Sequence, residues 1–130
     1  MGRSLLAIVA GYLFFTIVGR SASYALAYLM RGSGPGDGPA PAGAFAVQIA
    51  AGFAVALAAG HVCARVARGG GPAHAVLAGI LAAIGLGLVV DPPAGVPQLR
   101  VLVEVATGVL GVLIGGFVRS RARAGSAPGP

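Results

Sequence analysis

Three acids, nine arginines, two histidines and one cysteine supply nearly all the acid–base, metal-binding and nucleophilic capacity of this 130-residue chain. Glu104 stands out among them, because it falls inside the apolar run from Leu99 to Val118. Charge at membrane depth costs on the order of 3 kcal/mol by insertion scales, so such a residue is a functional candidate by default. A carboxylate there either couples to a proton or cation, or it is neutralised by a partner. Arg100 lies four residues earlier on the same helical face. Arg20, inside the first apolar run, is a second possible partner and is expected near the outer interface, as Glu104 is. The structural reading is an ion pair; the functional reading is a proton- or cation-coupling carboxylate.

The histidines offer less. His61 sits towards the end of the second apolar run, and His74 opens the third across a glycine-rich turn. Two imidazoles need at least one further ligand to hold a metal, and no nearby Cys, Asp or Glu completes a set. Cys63 is two residues round the helix from His61 and reads as a small buried apolar residue; alone, it cannot form an internal disulfide. A relay between His61 and Glu104 is excluded by depth, which differs by about 18 Å at the helical rise. The sequence has no nucleophile elbow, zinc-protease helix, Cys-x-x-Cys or phosphate loop, and its acids never pair at a spacing suited to acid–base work. No catalytic residue, metal or cofactor is therefore expected, and the chain does not read as an enzyme.

The elements that position these residues follow from composition. Hydrophobic residues make up 57% of the chain and charged residues 9%, against roughly 25% charged in a soluble domain. That is too little charge to cover a water-facing surface and too much apolar content for a disordered chain. Four apolar stretches, about 4–30, 42–64, 73–90 and 99–118, suit membrane-crossing helices. They are long and do not alternate polar with apolar, which argues against strands. The fold class expected is all-α: a polytopic membrane protein forming a four-transmembrane-helix bundle, packed through small residues, over residues 1–118. The first stretch reads either as one long retained helix or as a cleaved secretory signal. The retained helix is favoured, because apolar residues resume directly after Arg20.

The connections carry the topology. A Gly/Pro-rich loop runs from Arg31 to Pro41, a glycine turn from Arg65 to Pro72, and a proline-rich turn from Asp91 to Pro97. Residues 119–130 read as a basic, disordered tail. Every basic residue is Arg, and the net charge is +6. The arginines punctuate apolar runs instead of clustering on a soluble face, so they read as topology signals and not as a nucleic-acid surface. Arg3, Arg65, Arg68, Arg119, Arg121 and Arg123 fall on one side, against Arg31, Arg100 and Arg20 on the other. The positive-inside rule then places both termini in the cytoplasm. The Arg-only, Ala/Gly/Pro-rich composition looks like that of a GC-rich bacterial genome, which makes the membrane a bacterial inner membrane.

Small residues recur every four positions. Ala46, Ala50, Ala54 and Ala58 form one row on the second helix, and Gly52, Ala56, Gly60 and Ala64 another. Ala75, Gly79, Ala83 and Gly87 form a row on the third helix; Thr107, Gly111 and Gly115 form one on the fourth. Such rows let helix backbones approach closely in lipid. They serve packing within the chain or, through Gly111-x-x-x-Gly115, assembly of a homo-oligomer.

Three segments carry a resemblance: Leu5 to Tyr12, Ala64 to Ala75, and the Gly111-to-Gly116 end. On these the chain resembles a loose group of small uncharacterised four-span bacterial membrane proteins. The resemblance implies a hydrophobic scaffold and no established activity. Size and span count are also similar to those of small multidrug-resistance exporters, whose essential glutamate lies in the first helix; this chain carries Glu104 in the fourth. The expected partners are the lipid bilayer and either a second copy or another membrane protein, with no nucleic acid. The function expected is that of a non-enzymatic scaffold or accessory subunit. The alternative is a small proton- or cation-coupled transporter acting as an oligomer, with Glu104 as coupling carboxylate.

Overall fold

The computed structural model describes residues 2–30, 43–67 and 73–125. They form four helices: α1 (Gly2–Met30), α2 (Ala44–Ala67), α3 (Ala73–Val90) and α4 (Gln98–Ala124). All four are long and apolar enough to cross a membrane, and the chain is an all-α, multi-pass membrane protein. Arg31, Asp37 and Arg68 lie outside the described residues.

Helix ends follow local chemistry. α1 runs unbroken through Arg20-Ser21-Ala22-Ser23, none of which is a helix breaker on the scale of Gly or Pro. α2 continues three residues past Ala64, because Arg65-Val66-Ala67 holds no breaker and Ala67 is buried. α4 corrects the expectation of a disordered segment from Arg119 onward: it stays helical to Ala124. Arginine and alanine are strong helix formers, and Gly125 is the first breaker; its N–H donates to the Arg121 carbonyl at 3.2 Å. The α3–α4 link turns through Gly95 at φ 80°, a value that favours glycine. The Gln98 side chain donates to the Val89 carbonyl at 2.7 Å, satisfying one of the four acceptors that a helix C-terminus leaves open.

Around the bundle the order is α1, α2, α4, α3, and the most extensive contact joins α2 to α4. Gln48 meets Arg100, Ala56 meets Gly111, and Gly60 meets Val112, so these two helices run parallel. Both neighbouring pairs are antiparallel. Gly11 faces Ala59 and Cys63 while Gly19 faces Val55; Gly85 faces Val105 while His74 faces Gly116. α1 meets α3 at Gly11 and Leu77 and makes no backbone approach to α4.

Side chains are sorted by size, small inside and large outside. The buried core consists of Ala7, Ala56, Ala59, Cys63, Ala67, Ala73, Leu77, Ala78, Val101 and Val112, and among the described residues no polar or charged residue is buried. Leu5, Leu6, Ile17, Leu86 and Val90 are between 62% and 75% exposed. A water-soluble domain would bury these residues first. Lipid gives no hydrophobic reward for doing so, and backbone proximity along small residues holds the helices together instead.

Two expected rows face elsewhere. Gly79, Ala83 and Gly87 lie on the outer surface of α3, and a Cβ added to either glycine would meet nothing within 4 Å. This corrects their assignment to packing. The buried face of α3 carries Ala73, Leu77, Ala78 and Gly85 instead. Ala46, Ala50 and Ala54 of α2 also point outward. In so Ala/Gly-rich a chain small rows occur on every face, and only the positions of the neighbouring helices select one. Gly111 and Gly115 do turn inward: a Cβ at Gly111 would lie 2.7 Å from Ala56 Cβ, and one at Gly115 would overlap the Leu57 carbonyl. Their face is therefore occupied by α2 of the same chain.

Candidate functional site

The polar groups of the bundle gather at the end where α2 and α4 begin. Pro97 opens α4, its carbonyl accepting from the N–H groups of Arg100 at 3.0 Å and Val101 at 3.3 Å. This sets Arg100 in the first turn and Glu104 one turn later on the same face. Arg100 Nε donates to Glu104 Oε1 at 3.1 Å. Arg100 Nη2 donates to Gln48 Oε1 of α2 at 2.7 Å, and the guanidinium lies 5.2 Å from the centroid of the Phe45 ring. Gln48 and Phe45 are three residues apart, which places both on the α2 face towards α4. A cation in the first turn opposes the helix dipole. The carboxylate, amide and ring together compensate it.

Gln48 is the residue that sequence reasoning missed. Its signal was present: it is the one side-chain amide inside the apolar run of α2. Its partner lies 52 positions away, beyond the reach of any helical periodicity.

Below this cluster is a cleft of about 350 Å³. It is walled by all four helices, and α1 and α3 touch at Gly11 and Leu77. Its walls include Phe15, Gly19, Arg20 and Leu26 from α1, and Gln48, Gly52 and Phe53 from α2. Leu81 and Ile84 come from α3, and Glu104, Thr107 and Gly108 from α4. The hydroxyls of Thr16 and Thr107 donate to the carbonyls of Tyr12 and Val103 on their own helices, at 2.9 and 2.7 Å. Arg20, Gln48, Glu104 and the hydroxyls of Tyr12 and Ser23 are left as the polar groups of the cleft among the described residues.

Arg20 is not near the outer end, where it was expected to lie. Gly19 packs 3.8 Å from Val55 by its built Cβ, and Val55 is at the middle of α2. Arg20 is therefore at mid-height in the bundle. The helix continues to Met30 as expected; the depth was missed because the register of α1 against α2 is set by the Gly19–Val55 contact, which helical periodicity does not give. Among the described residues Arg20 makes no ion pair, and Glu104 is joined to Arg100 alone.

His61 is half-buried near the end of α2, while the His74 ring fills the space left by the missing side chain of Gly116. The described residues contain no group of three or more potential metal ligands. Cys63 is fully buried, against Gly11. Arg3, Arg65, Arg119, Arg121 and Arg123 belong to the end where α1 begins and α2 and α4 finish, with Arg121 stacked 4.7 Å from the Phe117 ring centroid. Asp91 and Arg100 belong to the other end. No protein-family model, curated protein or solved structure matches the chain.

Proposed function

We propose that this chain is a multi-pass protein of a bacterial inner membrane, with both termini in the cytoplasm, acting by association as a scaffold or accessory subunit without chemistry of its own. The observation that carries this reading is the state of Glu104. Its carboxylate, the one acid on the cleft wall among the described residues, is already engaged by Arg100, which is itself fixed by Gln48 and Phe45. A coupling carboxylate must give up its partner in each cycle; one held by a three-way anchor serves the α2–α4 contact instead. The arginine-rich end supports the orientation through the positive-inside rule.

A second reading, a proton- or cation-coupled transporter acting as an oligomer, is favoured by the position of Glu104 on an open cleft. Proton flux into proteoliposomes separates the two. The accessory reading expects no flux above that of empty vesicles. Flux carried by the native chain and abolished by Glu104→Gln, with helix content retained, would establish the transporter.

A further inference from the structure

An arginine at mid-height in an apolar bundle requires either water or a counter-charge. Arg20 has no counter-charge among the described residues. Glu104 is held by Arg100 and lies about one to two helical turns nearer the Asp91 end. Among the described residues the cleft therefore carries one positive charge without an ion-pair partner, on the exposed side chain of Arg20, which lines it together with Phe15, Phe53, Leu81 and Ile84. The geometry points to this cleft as a binding site for a lipid-soluble carboxylate, a molecule with one apolar chain and one negative charge, anchored on Arg20.

Four features select that occupant. The volume of about 350 Å³ falls in the range of small-molecule sites, roughly 300–1,000 Å³. A single unpaired guanidinium matches a single anionic group, and its planar fork suits a carboxylate bidentately. Mid-height placement disfavours the phosphodiester of a bilayer lipid, which stays at headgroup level, whereas a single-chain carboxylate can enter the hydrocarbon with its charge paired. A lipophilic cation is disfavoured, since Arg20 repels it and Glu104 is taken. Binding goes beyond the accessory-subunit reading and does not depend on it.

Radiolabelled dodecanoate, bound to the full chain in zwitterionic lipid nanodiscs with empty discs subtracted, tests the site. The native chain binds saturably, one per chain, and dodecanol competes poorly. Arg20→Gln weakens binding by about thirtyfold or more, as expected for loss of one partner of a desolvated charge pair; Arg20→Lys retains most of it. Gly52 lines the cleft, and a Cβ there meets nothing within 4 Å. Gly52→Leu thus fills the site without a backbone clash and abolishes binding at a melting temperature no lower than that of the native chain, which keeps the test sound if an Arg20 variant fails to fold. Binding is read on the native chain without a proton gradient and flux without dodecanoate, so this result and the flux result fail separately. Equal binding by Arg20→Gln, equal competition by dodecanol, or unchanged binding by Gly52→Leu would each overturn the proposal.

Discussion

Gly60 of α2 lies so close to the Val112 carbonyl of α4 that a methyl group at Gly60 would overlap it. Gly115 meets the Leu57 carbonyl in the same way. Two glycines on opposite helices thus set the separation of the central pair.

Replacing either glycine by alanine forces the helices apart. Gly60→Ala and Gly115→Ala are expected to destabilise the bundle by about 1–3 kcal/mol, the usual range for overpacking a close contact. Gly79→Ala and Gly87→Ala meet open space and gain up to about 1 kcal/mol of helix propensity. Thermal melting of the four variants in detergent gives the comparison; equal effects at both pairs would refute the placement of the seam.

The Arg100–Glu104 pair predicts a non-additive cycle. Arg100→Gln leaves Glu104 without a cation, and Glu104→Gln leaves Arg100 with Gln48 and Phe45. Removing both residues is expected to cost less than the sum of the single changes, with a coupling of about 0.5–1 kcal/mol for a pair this exposed. Additive melting shifts would show that the ion pair contributes nothing.

How much of this was legible in the sequence depends on the distance between the groups involved. The four helices were readable, because their apolar runs are long and end at Gly/Pro segments. Arg100 with Glu104 was readable, because the pair is one helical turn apart. Gln48 with Arg100 was not, since that contact depends on α2 and α4 lying side by side. The depth of Arg20 was misjudged because, although the helix through it was readable, its register against α2 depends on the packing of Gly19 on Val55. The row from Gly79 to Gly87 was misassigned because helical spacing identifies a face without saying what lies opposite.

Cys63 offers a simple check of the core. It is fully buried against Gly11 and so is expected to resist N-ethylmaleimide in mild detergent and to react completely once SDS opens the bundle. Rapid labelling of the folded protein would contradict the α1–α2 packing.

Sidedness is tested by single cysteines in a Cys63→Ala background. Ala94→Cys, in the exposed α3–α4 link, should react with a membrane-impermeant maleimide added to intact cells. Gly125→Cys, after α4, should react only after lysis. The reverse pattern would invert the proposed orientation.

The most extensive interface of the molecule joins the second and fourth helices, which are not consecutive along the chain. During synthesis each hairpin can close as soon as its own second rod arrives, but the glycine seam between the hairpins must wait for the last segment to leave the ribosome. Until then the face around Ala56 and Gly60 lacks its proper cover. A stalled or truncated product would present that bare strip to other proteins in the bilayer, which makes the final span the step that commits the whole assembly.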